Sequence, residues 1–143
     1  RDYGSMSSLF YCLYRDTHSI KDSLGRFRTI FFTLSHPERT GKHVSNVAKN
    51  SSAKRLNMYL RWMVRRDKRG IDFGMWEDIP MSALYIPLDV HSASVARKLG
   101  LLTRKQNDWK AVEELTVNLQ NFDRNDPVKY DFALFGLGVF EGF

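Results

Sequence analysis

The sequence predicts an all-α domain, and three observations carry that expectation. Runs of β-branched residues are rare. No Asn-Gly or Asp-Gly pair separates alternating segments, so the usual hairpin signal is missing. Apolar residues recur instead at helical spacing, in stretches opened by capping side chains and closed by glycine or proline. The chain has 143 residues, 43% of them apolar, enough for one compact multi-helix domain spanning 1–143 with a core of its own.

Leu9, Phe10, Leu13 and Tyr14 place the first helix over residues 5–15. Ser19 opens the second, with Asp22 three residues on in the manner of a capping box. Its apolar face is Ile20, Leu24, Phe27, Phe31 and Leu34, with Gly25 inside it. Residues 35–51 (SHPERTGKHVSNVAKNS) are polar and hold Pro37 and Gly41, which reads as a basic loop with a short helical turn near Val44. Ser51 or Ser52 caps a third helix over 53–67, ended by Gly70. Pro80 and Pro87 break the apolar stretch 71–88 into an ordered connection with a short turn. Asp89 caps a helix to Leu99, stopped by Gly100. Asp108 caps the next, to about Phe122, and Asp126-Pro127 starts the last, to about Phe140.

An aromatic content of 13% and a charged content of 27% exclude wholesale disorder and collagen-like or coiled-coil character. No apolar run approaches the ~20 residues of a bilayer span, and no signal peptide is visible. A single cysteine, Cys12, rules out an internal disulfide, a Cys-rich zinc site and a cysteine-ligated iron–sulfur cluster within this sequence. A reducing, cytoplasmic setting is expected. Because the first residue is Arg1 rather than Met, the sequence reads as the C-terminal part of a longer chain.

Charge is uneven. Residues 39–69 hold ten lysines and arginines and one acid, a net +9, while the rest of the chain sums to −3. Such a stripe fits either a polyanion partner or a solvated helix face.

The third helix carries the main chemical candidates. At 100° per residue, Lys54, Asn57, Met58, Arg61, Arg65 and Lys68 share one side, and Ala53, Leu56, Leu60, Met63 and Val64 form the core side. Lys54 falls in the first turn, against the positive end of the helix dipole and close to Arg55 and Arg61; both oppose its protonation. A neutral amine is a nucleophile able to form a Schiff base with a sugar C1′. The alternative makes Lys54 one more phosphate-contacting cation. Asp89 caps a helix, which explains it without function; it could equally be a carboxylate facing a developing positive charge. His91 is a second hydrogen-bonding group there or a surface histidine. His18, His36 and His43 have no metal-ligand spacing, so no metal site is expected. Gly136 and Gly138 read as packing glycines rather than a phosphate loop. Trp62, Trp76 and Trp109 read as core or core-edge anchors, with base stacking by Trp62 or Tyr59 the lesser alternative. Cys12 reads as buried filler.

Four blocks are distinctive: KRLNMYLRWMVRRD (54–67), DFGMW (72–76), PLDVHSASVARKLGL (87–101) and NDPVKYDFALFGLG (125–138). In this order they resemble an uncharacterised bacterial domain-of-unknown-function family, over most of residues 50–140. Its members usually carry a further helical region upstream. That family is distantly similar to helix-hairpin-helix DNA glycosylases, nearest the archaeal 8-oxoguanine branch. The resemblance implies their fold, with Lys54 as the Schiff-base lysine, Asp89 as the catalytic aspartate and His91 as the residue two after it. The 35 positions between Lys54 and Asp89 are nearer the archaeal spacing than that of endonuclease III-like enzymes. The Leu-Pro-Gly-Val-Gly hairpin that grips DNA in most of the superfamily is absent, SHPERTGKHVSNVAKNSS standing in its place, and the iron–sulfur cysteines of some relatives are missing.

The expected function is therefore a nucleic-acid-binding, glycosylase-like domain, a DNA N-glycosylase and abasic-site lyase of DNA repair. Damaged double-stranded DNA is the favoured partner, bound by Arg55, Asn57, Arg61, Arg65 and His91 and by the loop side chains Lys42, His43 and Lys49, with Arg61 and Arg65 on flanking phosphates. No cofactor, metal or membrane is expected, and the chain is read as a monomer. The alternatives are a non-catalytic DNA- or RNA-binding module and a protein-interaction domain whose basic face docks an acidic partner.

Overall fold

The computed structural model describes residues 3–143, and among them every regular element is helical. Helix α1 (Met6–Thr17) and helix α2 (Ile20–Phe31) pack as a hairpin. The turn between them needs only two residues. His18, in the left-handed region at φ 50°, closes α1 by donating its N–H to Tyr14 O, and the Ser19 side chain caps α2 by accepting the Asp22 N–H. Helix α2 ends at Phe31, which leaves Phe31 and Leu34 exposed rather than in the apolar face expected of them.

The basic loop is more ordered than its composition implies. It forms two 3-10 turns, Glu38–His43 and Val47–Lys49, and buries Val44 and Val47. The Arg28 guanidinium of α2 donates to Gly41 O (3.2 Å) and Val44 O (2.6 Å), tying the loop down. Its end is fixed to the far side of the domain: Asn50 donates to Asp108 Oδ2 at 2.7 Å and accepts the Trp109 N–H at 3.0 Å.

Helix α3 (Lys54–Val64) is shorter than the expected 53–67 and is not capped by Ser51 or Ser52. Buried Ala53, in the left-handed region at φ 48°, turns the chain into it. That conformation costs a residue with a Cβ about 1–2 kcal/mol, so surrounding packing imposes it. The helix stops at Val64 because Arg65 swings out to an extended conformation and its guanidinium binds three aspartates.

The segment after α3 folds back along it. Phe73 and Gly74 donate their N–H groups to Trp62 O, and Trp76 donates to Met63 O. Gly74, at φ 60°, is required here: a Cβ would lie 2.3 Å from Arg66 Cγ and 3.1 Å from Arg65 O. Trp76 stacks on Phe10 with ring centroids 5.6 Å apart, joining this segment to α1. A 3-10 turn at Met81–Ala83 leads to helix α4 (Val90–Lys98), capped by Asp89, and helix α5 (Trp109–Gln120), capped by Asp108.

The last helix begins differently from the Asp126-Pro127 start expected. Asp126 is taken by Arg65 and makes no cap; Pro127–Tyr130 form a 3-10 turn, and helix α6 runs Asp131–Phe140. Helices α4 and α6 make the most extensive helix–helix contact. Gly138 permits it, since a Cβ there would sit 3.1 Å from both His91 Cβ and Val95 Cγ2. The core runs through all layers, with Phe10, Leu60, Ile86, Trp109 and Leu115 essentially inaccessible.

Candidate functional site

Two helix starts, 35 residues apart in sequence, meet at one cleft. Lys54 is the first residue of α3 and Asp89 is the cap of α4. The Lys54 Nζ donates to Asp89 Oδ2 at 3.2 Å. The other carboxylate oxygen, Oδ1, accepts the Ser92 N–H at 2.8 Å. Asp89 therefore serves structure and site at once, one oxygen closing the helix and the other facing the amine. Burial pushes the Asp89 carboxyl up, but the Ser92 N–H and the Lys54 ammonium outweigh it and hold the group below the usual aspartate range. The lysine side chain keeps 42% of its surface open, so a ligand can reach it.

The cleft has a volume of about 440 Å³. Met58, Trp62, Pro87, Phe132 and Phe135 give it apolar, largely aromatic walls, and Lys54, Asp89, Arg61 and Asp131 supply its polar groups. A few convergent polar groups in an apolar hollow are the usual make-up of a small-molecule or base-sized site. Trp62, 37% exposed, belongs to this wall rather than to the core.

Arg61 and Arg65 correct the sequence reading. Expected on phosphates at the surface, they are only 4% and 3% exposed. Arg61 donates to Asp72 Oδ1 at 3.1 Å and, by a short contact, to Asp131 Oδ2. Arg65 reaches Asp126 Oδ1 at 2.9 Å, Asp67 Oδ2 at 2.6 Å and Asp72 Oδ2 at 2.8 Å. Burial alone would weaken the Arg65 charge; the Asp126, Asp72 and Asp67 carboxylates more than restore it. Buried and paired with carboxylates in this way, neither guanidinium forms part of a surface ridge for phosphates. Asn57 is also corrected: it is buried and donates to Ser52 O at 3.1 Å, which locks the turn preceding Lys54.

The other candidates stay outside. Arg55, Lys42, His43 and Lys49 are exposed, and none forms an ion pair among the described residues. His91 is exposed and meets Phe135 edge-on at 6.0 Å, behind a cleft wall rather than in it. Cys12 is half-buried, on α1, away from the cleft lining. No cluster of histidine, cysteine or carboxylate side chains among the described residues could hold a metal ion, and no helix is long and apolar enough to cross a membrane.

Sequence reasoning missed Asp131, which stands in the cleft at the first residue of α6. Burial pushes its carboxyl up to about 6, with Arg61 opposing and the Asp89 charge adding to the rise. The available signal was indirect: the cation-rich 39–69 stretch has a single acid, so carboxylate partners for its arginines had to come from elsewhere, Asp72 close by and Asp126 and Asp131 far along the chain.

Fold and site together describe an all-helical domain with an amine–carboxylate pair in an aromatic cleft. The family model of DUF2400, described as a protein of unknown function, matches residues 1–140, and the chain belongs to that family. No curated protein matches it, and no solved structure does.

Proposed function

We propose that this domain is a glycosylase-like nucleic-acid enzyme that excises a damaged base and forms a Schiff base through Lys54. The observation that carries the reading is the approach of Lys54 Nζ to Asp89 Oδ2, at 3.2 Å, inside a cleft walled by aromatic rings. The motif resemblance to helix-hairpin-helix DNA glycosylases, nearest the archaeal 8-oxoguanine branch, supports the same two residues in the same roles.

The chemistry follows from the pair. Asp89, ionised and 3.2 Å away, accepts a proton from Lys54 and frees the amine for attack. As the C1′–N bond of a flipped-out nucleotide breaks, its electrons leave with the base and Nζ bonds to C1′. The resulting ammonium sheds one proton to solvent. The nitrogen lone pair then expels the ring oxygen O4′, which takes the proton held by Asp89, and the C1′=Nζ iminium remains. Asp89 ends as it began, a carboxylate beside positive charge. Damaged double-stranded DNA would lie across the exposed side chains of Lys42, His43, Lys49 and Arg55, with affinity that falls as salt rises.

Borohydride trapping on abasic-site and 8-oxoguanine duplexes tests this. The expected result is a covalent protein–DNA adduct that disappears in Lys54→Gln. No adduct at high protein concentration, or an adduct that survives Lys54→Gln, rejects the nucleophile.

A second reading, a binding module without chemistry, is favoured by one observation: seven of the ten cations in 39–69 are exposed, independent of the cleft. It expects salt-sensitive binding to DNA or RNA that is indifferent to Asp89→Asn.

A further inference from the structure

The cleft holds a second carboxyl in an environment opposite to that of Asp89. Around it lies a closed set of charges. Arg61, Arg65 and Arg69 supply three guanidiniums, and Asp67, Asp72, Asp126 and Asp131 supply four carboxyl groups. One carboxylate is thus in excess in a region where Arg61, Arg65 and Asp72 are almost wholly removed from water. Unbalanced charge in such surroundings is relieved by taking up a proton.

Asp72 is not the group to do so, because it sits between both arginines and accepts from each. Asp126 and Asp67 are bound to Arg65 and lie outside the cleft lining. Asp131 remains. Its Oδ2 takes Arg61, which Asp72 already neutralises, and its Oδ1 has no hydrogen-bond partner among the described residues. Although only 8% exposed, it lines the cleft that also holds Lys54 and Asp89. The groups facing it are Arg61 from α3, Asp72 from the segment after α3, and Asp89 from the start of α4.

We propose that Asp131 is the general acid of this cleft, donating its proton to the nitrogen of the departing base while Asp89 serves Lys54. The proposal rests on the glycosylase reading above. The step balances: the C1′–N bond breaks, its electron pair stays on the base nitrogen, that nitrogen takes the proton of Asp131, and solvent later returns a proton to the carboxylate left behind. Two carboxyl groups whose surroundings drive them apart divide the work of acid and base. The lowered Asp89 and the raised Asp131 are such a pair.

The test separates base departure from Schiff-base formation. Intact protein and Asp131→Asn are compared for base release from an 8-oxoguanine duplex and for borohydride trapping at a preformed abasic site, which has no base to expel. The expected result is a loss of base release of about 100-fold or more in Asp131→Asn, with abasic-site trapping within a few-fold of the parent. In the parent, release should fall about tenfold per pH unit above about 6. Asp131→Glu, which keeps a carboxyl, should restore part of the activity and the pH limb. The pH arm on the parent needs no variant: base release that does not fall as pH rises above about 6 overturns the general-acid role even where Asp131→Asn folds poorly. Equal loss of release and trapping in folded Asp131→Asn, a pH limb unchanged in that variant, or a parent that traps abasic sites but releases no base, overturns the general-acid role. A parent that traps nothing overturns the glycosylase reading itself.

Discussion

The two ends of α3 use the same residue types to opposite effect. At its start, Lys54 faces Asp89 across an open cleft, one cation with one carboxylate oxygen, 42% of the lysine side chain still in solvent. At its end, Arg61 and Arg65 are sealed among Asp72, Asp126, Asp131 and Asp67. Burial and partner number separate them. A guanidinium with several donors can satisfy several carboxylates and survive removal from water; a lysine with one partner and an open side remains reachable. The sealed end fixes the segment after α3 and the start of α6 against the helix, and so sets the wall on which the open end depends.

Substitutions at the two ends should therefore fail in different ways. The largest effect expected is on chemistry: Lys54→Gln should lower abasic-site trapping about 1,000-fold or more while leaving the unfolding midpoint nearly unchanged, as read by circular dichroism. Next comes stability at the sealed end. Arg65→Met strands Asp126 and leaves Asp72 with Arg61 alone, and denaturant unfolding should report a loss of about 3–5 kcal/mol. If Arg65→Met were instead as stable as the parent and bound DNA more weakly, the arginine would belong to the surface after all. Gly138→Val forces a side chain against His91 and Val95 across the α4–α6 contact, and should cost about 2 kcal/mol by the same measurement.

Smaller effects sharpen the contrast further. The Asp89 carboxyl is held below its ordinary range by the Ser92 N–H and Lys54, so its contribution to stability is present above the unfolded aspartate value and is lost as pH falls through the lower folded one. Asp89→Asn should flatten the acid side of the stability profile, and a profile identical to the parent's would show that the ion pair does not form in solution. Smallest of all, Lys42→Ala with Lys49→Ala should lessen the salt dependence of DNA binding, the slope of log K against log salt falling by about 1 per cation.

Much of the fold was legible because its signals are local. Ser19, Asp89 and Asp108 cap where their side chains predict, and Gly100 follows α4 in a left-handed conformation. What failed was non-local. Asp126 before Pro127 has every mark of a cap, yet Arg65, 61 residues away, claims its carboxylate. The polar face of α3 reads as a solvated ridge on a helical wheel; only the fold reveals that aspartates from two later segments cover it. Spacing flagged Lys54 and Asp89 separately, but their meeting depends on the starts of α3 and α4 coming together, which neither segment's own sequence encodes. Asp131 carried no sign of its own, because its surroundings come from Arg61, Asp72 and Asp89 rather than from its neighbours in sequence.

The most direct test of the amine–carboxylate centre is to reduce the protein with borohydride on an abasic-site duplex, digest the adduct, and map the modified peptide by mass spectrometry. The modification is expected on Lys54, the first residue of α3. A modification on Lys42, Lys49 or any other lysine, with Lys54 untouched, would contradict the assignment of this cleft as the reactive centre.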